Sequence, residues 1–217
     1  MANNVVLSSH IALGLMVVSA LACAPRVRPA TGVVVKRSLP ATALARGHRL
    51  IVFRWTLEDA DIFSRGEGAV RQAGPDSARL DFFLGGGLGT GSAVLIGNEV
   101  RLASDADRMT RRLVPAAPLL WAVLGRAAPP ASSDTVFHVD GDTLRVDIGN
   151  PMSWRLTFER EMLRRVERVS GARVVEWVSR AADGRVRYRN ELSRRQLDVM
   201  VTRNEGTRID ADSWTLP

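Results

Sequence analysis

The chain has 217 residues, one cysteine and a formal net charge of +7, from 30 basic and 23 acidic side chains. This length supports one domain with a real core, and a lone cysteine excludes an internal disulfide. The arginines are interspersed with acids, as in Arg160, Arg164, Arg165 and Arg168 among Glu159, Glu161 and Glu167; this is the pattern of a solvated sheet face and argues against a nucleic-acid site.

In chain order, an apolar run from Ile11 to Ala22 comes first and ends at Cys23. It is shorter than the roughly 20 residues a spanning helix needs, and reads as a signal-peptide core. The first ten residues carry no Lys or Arg, which is unusual for such a peptide. Cys23 at the cleavage point resembles the bacterial lipobox, an ordinary secretory peptide being the alternative. The resemblance implies removal of residues 1–22, acylation of Cys23 and, because Ala24 rather than aspartate follows, anchoring in the outer membrane facing the periplasm. The expected organisation is a signal peptide over 1–22, a lipidated N-terminus and tether over 23–48, and a folded body over 49–217. Three prolines between Ala24 and Pro40 support the tether, and residues 41–48 could form a short helix.

From Arg49 onward, short alternating segments predict antiparallel strands. Ile51, Phe53, Trp55 and Leu57 share one parity. Strands over 68–72 and 78–84 flank Gly74-Pro75-Asp76, and strands over 92–96 and 99–103 flank Gly97-Asn98. Further strands are expected over 136–139, 143–148, 153–159, 163–170, 173–180, 185–190, 196–202 and 208–214, with Gly171, Asp183-Gly184 and Asn204-Glu205-Gly206 as turns. Between these sets, Pro115 to Gly125 predicts a helix, with proline near its start, glycine at its stop, and Leu119, Leu120, Val123 and Leu124 at helical spacing. It is apolar on most sides, so it needs burial; a curved sheet folded over it would supply that.

Catalytic chemistry finds little support. His10, His48 and His138 are isolated, and no Cys/His cluster suggests zinc. The glycines at 85–91 match neither a dinucleotide fingerprint nor a P-loop. The pair Asp140/Asp142 flanks a turn glycine, and Asp59/Asp61, Asp105/Asp107 and Asp210/Asp212 lack the other ligands of a calcium loop. No enzyme, metal site or cofactor is expected.

The order of elements and three strings carry a family resemblance: Arg79-Leu-Asp-Phe-Phe-Leu-Gly-Gly-Gly-Leu-Gly89, the helix Val114 to Gly125, and the run from Leu197 to Leu216. Together they resemble the LolB outer-membrane lipoprotein receptors and the wider LolA/LolB-like superfamily. The resemblance implies a mainly β fold, an open, incomplete antiparallel barrel of about ten to eleven strands wrapped around one or more helices and enclosing an apolar cavity. It also implies a role in which the protein receives acylated lipoproteins from a periplasmic LolA-type carrier and places them in the outer membrane. The family's membrane-inserting leucine, in an Asn-Pro-Leu-Gly string, falls on Leu88, here within Gly86-Gly87-Leu88-Gly89.

The inward strand parity nominates Phe53, Trp55, Leu80, Phe82, Leu84, Leu95, Leu144, Val146, Leu156 and Phe158 as cavity lining, joined by Leu120, Val123 and Leu124 of the helix. Burying one acyl chain, at about 0.8 kcal/mol per methylene, is worth on the order of 10 kcal/mol. Two alternatives stand beside this reading. One is a relative that carries other lipid or senses envelope stress; the other is a structural lipoprotein with a filled core that binds a protein partner.

Overall fold

The computed structural model describes residues 24–42, 44, 47–87, 89–103, 108–210, 214 and 216. Cys23 and Leu88, the expected lipidation and insertion residues, lie outside the described residues, as does the signal peptide.

Six strands come first: β1 (Val33–Val35), β2 (His48–Asp59), β3 (Ile62–Ala73), β4 (Ser77–Leu84), β5 (Thr90–Ile96) and β6 (Glu99–Leu102). A 3-10 turn, Gly85–Gly87, follows β4. Two helices follow β6: α1 (Arg108–Leu113) and α2 (Ala117–Leu124). The remaining strands are β7 (Thr135–Asp140), β8 (Thr143–Ile148), β9 (Trp154–Glu159), β10 (Met162–Ser170), β11 (Arg173–Arg180), β12 (Arg185–Asn190) and β13 (Arg195–Gly206). All join one antiparallel sheet in the order β1-β7-β8-β9-β10-β11-β12-β13-β2-β3-β4-β5-β6, with β1 and β6 as free edges. The sheet does not close, so the open half-barrel is the architecture.

The expected strand parity holds. Phe53, Trp55, Leu80, Phe82, Leu95, Leu144, Val146, Leu156 and Phe158 are buried in one continuous core with Leu119, Leu120 and Trp121 of α2, and Leu84 packs half-buried against it. α2 lies on β10, β11 and β12. It stops where glycine permits: Gly125 takes φ 94° and its N–H donates to the Ala122 carbonyl, while the Arg126 N–H donates to Trp121 (2.9 Å), a Schellman ending. Trp121 fixes the helix further by donating Nε1–H to the Gly97 carbonyl (2.6 Å). On the outer face, arginines meet acids across strands, among them Arg155–Asp147 (2.6 Å) and Arg187–Asp198 (2.6 Å), whereas Arg168–Glu176 (2.6 Å) lies on the inner parity, where buried Glu176 also accepts from the Tyr188 hydroxyl (2.8 Å).

Several local expectations need correction. The sheet has thirteen strands among the described residues, more than the ten to eleven expected, partly because Val33–Val35 adds to β7 at one edge. These valines stand in the segment expected to be a tether, and its part from Ala24 to Val35 lies on the body. Ala24 is 1% exposed; Arg173 donates to its carbonyl (2.6 Å), Val174 N–H to Pro25 (2.8 Å), and Val27 N–H to Ala172 (3.0 Å). Arg155 donates to the Arg28 carbonyl, and the Thr31 hydroxyl to Asp140 (2.6 Å). Pro25 and Pro29 have no N–H to pair, but carbonyls and arginines of the body supply the bonds. The chain between Ala24 and Val35 is therefore a strap.

Residues 41, 42, 44, 47 and 48 show no helix, and His48 already opens β2. The expected turn Asn204-Glu205-Gly206 is instead the end of β13, which a register shift between Val201 and Arg203 carries on to Gly206 against Arg49; Arg208, Ile209 and Asp210 form no strand. Finally, α1 has no apolar period to announce it. It is held close because β5 has no side chain at Gly91: a Cβ there would lie 2.1 Å from the Thr110 hydroxyl oxygen.

Candidate functional site

A partly open cavity of about 100 Å³ lies between the concave face of the sheet and the helices. Ile51 and Phe53 (β2), Val70 (β3), Leu80 and Phe82 (β4), Val186 (β12), and Leu197, Val199, Val201 and Asn204 (β13) form the sheet wall. Leu113, Pro115, Leu120, Val123 and Leu124 form the helical wall, and Arg180, the last residue of β11, completes the lining. Val201 and Asn204 are the exposed members, so the cavity opens toward the end of the sheet where β2 begins.

The strands shape this wall through small residues opposite large ones. Phe53 pairs with Gly68 and Trp55 with Gly66 across β2 and β3. A Cβ on Gly68 would sit 2.3 Å from the Phe53 ring, and one on Gly66 would sit 2.6 Å from the Trp55 ring. Both rings therefore lie flat over the neighbouring strand. The Phe53 and Phe82 rings meet edge to face, with centroids 5.8 Å apart.

Six of the predicted lining residues, Phe53, Leu80, Phe82, Leu120, Val123 and Leu124, meet in this wall. The other seven, Trp55, Leu84, Leu95, Leu144, Val146, Leu156 and Phe158, do not line it and pack in the core. Their parity is right but their place on the arc is not. β8 and β9 stand four or more strands from the β13–β2 seam, and the Trp55 indole is engaged by Gly66 and by an Nε1–H bond to the Glu67 carbonyl (2.9 Å). Sequence reasoning missed Ile51, Leu197, Val199 and Val201, although each continues an alternation visible in its strand. Arg180 had no such signal.

Arg180 donates to the carbonyls of Ala122 (3.4 Å), which also accepts from the Gly125 cap, and Val123, both among the last four carbonyls that find no partner further along the helix. It thereby pins α2 over the cavity. Burial, and secondarily the nearby Arg164 guanidinium, push its pKa down. No described carboxylate forms an ion pair with it. Arg126, just past the cap, stacks over the Trp121 ring at 4.6 Å and has a buried Nη1 without a hydrogen-bond partner.

Elsewhere, the turn after β4 leaves Phe63 (68% exposed) and Phe83 on the outer surface beside Gly85–Gly87. Among the described residues no group of three His, Cys, Asp or Glu could hold a metal ion, and no helix is long and apolar enough to cross a membrane. His48 accepts a hydrogen bond from the Ile209 N–H at Nδ1 (3.1 Å), and His138 lies in β7 opposite Val34.

No protein-family model and no curated protein matches the chain. Among solved structures, it is similar to a LolA superfamily protein from Nitrosomonas europaea, at 9% identity and TM-score 0.53, over 80% of this chain and 92% of that one. Alongside it stand a domain from Vibrio parahaemolyticus named for outer-membrane lipoprotein sorting (7% identity, TM-score 0.47, 80% and 92% covered) and a DUF1329 family protein from Desulfovibrio piger (7%, 0.42, 78% and 89%). What the first likeness establishes is the fold: an open, LolA-like half-barrel.

Proposed function

We propose that this chain is an acyl-binding protein, not an enzyme, and that it works as a lipid-anchored receptor of the outer membrane. It takes acyl chains, those of lipoproteins or of other lipid, into the cavity between α2 and the concave sheet and passes them to the bilayer. The observation that carries this reading is an apolar cavity walled by Phe53, Leu80, Phe82, Leu120, Val123 and Leu124 inside a LolA-like half-barrel. In the finer part of the proposal, Cys23 bears the lipid anchor, Leu88 enters the bilayer, and a periplasmic LolA-type carrier delivers the cargo. The exposed Phe63 and Phe83 beside the glycine turn support a lipid contact there.

At about 100 Å³ the cavity is smaller than the roughly 300–1,000 Å³ of ordinary ligand pockets. Acyl uptake therefore requires α2 to lift Leu120, Val123 and Leu124 away from β2 and β4. The test is native mass spectrometry on the gently purified protein. Co-purified acyl lipid, displaced by a synthetic lipopeptide, is the expected result. A bare protein that also takes up no fluorescent fatty acid would overturn the reading in favour of a packed core that serves a protein partner.

A further inference from the structure

The cavity is apolar except at two points, Asn204 and Arg180. Asn204 already accepts from Arg49 through Oδ1, at 2.9 and 2.7 Å. Arg180 is different in kind. It is a full positive charge, half-buried on an apolar wall, and withdrawing a charge from water is costly unless it is paired. Its partners are the Ala122 and Val123 carbonyls, the end of a helix dipole worth roughly half a unit of negative charge. Its charged neighbour is another cation, Arg164, which lies 3.2 Å from the Glu159 carboxylate. Arg126 adds a third guanidinium just past the same helix end, with one nitrogen buried and unsatisfied. Two guanidiniums, Arg180 and Arg126, thus lie at the C-terminus of α2 with Arg164 near Arg180, and one carboxylate, Glu159, is in ion-pair reach of the three among the described residues.

We propose that the cavity takes an amphiphile with an anionic head, a carboxylate or a phosphate, and that Arg180 is the residue that meets the head while the acyl chain runs along Leu120, Phe53 and Phe82. The inference rests on the acyl-binding reading above and narrows its cargo to the other lipid of that reading, anionic amphiphiles, because the acylated end of a lipoprotein has no anionic head. The guanidinium suits both heads, because its planar fork of donors matches carboxylate and phosphate oxygens alike.

The experiment compares three probes of equal chain length on the full chain, each below its micelle concentration: dodecanoate, methyl dodecanoate and dodecyl phosphate. At neutral pH we expect at least one anionic probe to bind tenfold or more tighter than the ester. The better of the two identifies the head as fatty-acid-like or phospholipid-like. Arg180→Gln is expected to erase the preference, and Arg180→Lys to retain part of it. Equal binding of ester and acids by the unaltered protein overturns this inference and leaves the acyl reading standing, and that comparison needs no variant to fold. A preference that survives in folded Arg180→Gln also overturns it. Uptake of no probe overturns both readings together.

Discussion

Asp59 shows how a single side chain joins three elements. It ends β2, accepts from the Ala60 N–H (2.8 Å) and from Arg195 Nε at the start of β13 (3.1 Å), and lies 3.4 Å from Arg112 of α1. Burial pushes its pKa up, but the N–H and the two guanidiniums outweigh it and hold the carboxyl below the usual range. A carboxyl depressed in the folded state stabilises the fold above its unfolded pKa of about 3.9, and that contribution is lost as pH falls through the folded value. Asp59→Asn is therefore expected to lower stability at pH 7 by about 1 kcal/mol, seen as a drop of a few degrees in Tm. The gap between variant and parent should close as the pH is taken well below 4. Residues of this kind are hard to read from sequence, because an Asp at a strand end looks like any turn residue. Phe53, Leu80 and Phe82 were legible, since strand parity alone put them inside. Arg180 was not: its meaning comes from where α2 docks, and one strand cannot show that.

At the scale of elements, the glycines of β3 do the most to shape the wall. Gly66 and Gly68 are places where aromatic rings from β2 lie across the strand. This explains why the sequence alternation was visible only from Gly68 to Gln72 while the strand runs from Ile62 to Ala73. Glycine removes the side-chain signal just where the packing is closest. Gly68→Ala should push Phe53 out of the cavity wall and destabilise the protein by about 1–3 kcal/mol, the usual cost of overpacking. Urea unfolding gives the loss, and acyl uptake should fall with it. The helix α2 was legible to within two residues at its start, and its stop at Gly125 was read directly. Missing from the sequence was the extension of β13 to Gly206, because its last residues are polar on both parities and are held by β2, a partner distant in the chain.

At the scale of the molecule, the strap changes what the N-terminal segment does. The proline content read as a tether, and prolines do disfavour secondary structure, but they do not forbid a chain from lying against arginines and free carbonyls. Hydrogen exchange distinguishes the two. A tether exchanges at once, whereas the amides of Val27 and Val174, bonded to Ala172 and Pro25, should be protected by tenfold or more over unstructured chain. Unprotected exchange across residues 26–35 would show that the strap is loose in solution.

The strap starts where Arg173 holds Ala24, beside the β10–β11 turn, and Arg180 at the other end of the same strand faces the cavity. Seven residue steps of extended chain separate them, on the order of 20 Å. The described chain thus begins at the base of the half-barrel, and the cavity opens at its brim. A molecule moored by that base stands like a cup on a table, able to be filled from above by anything that comes past. It cannot pour onto the table without tipping, and because Cys23, the proposed mooring, directly precedes Ala24, any tipping would draw on the strap itself.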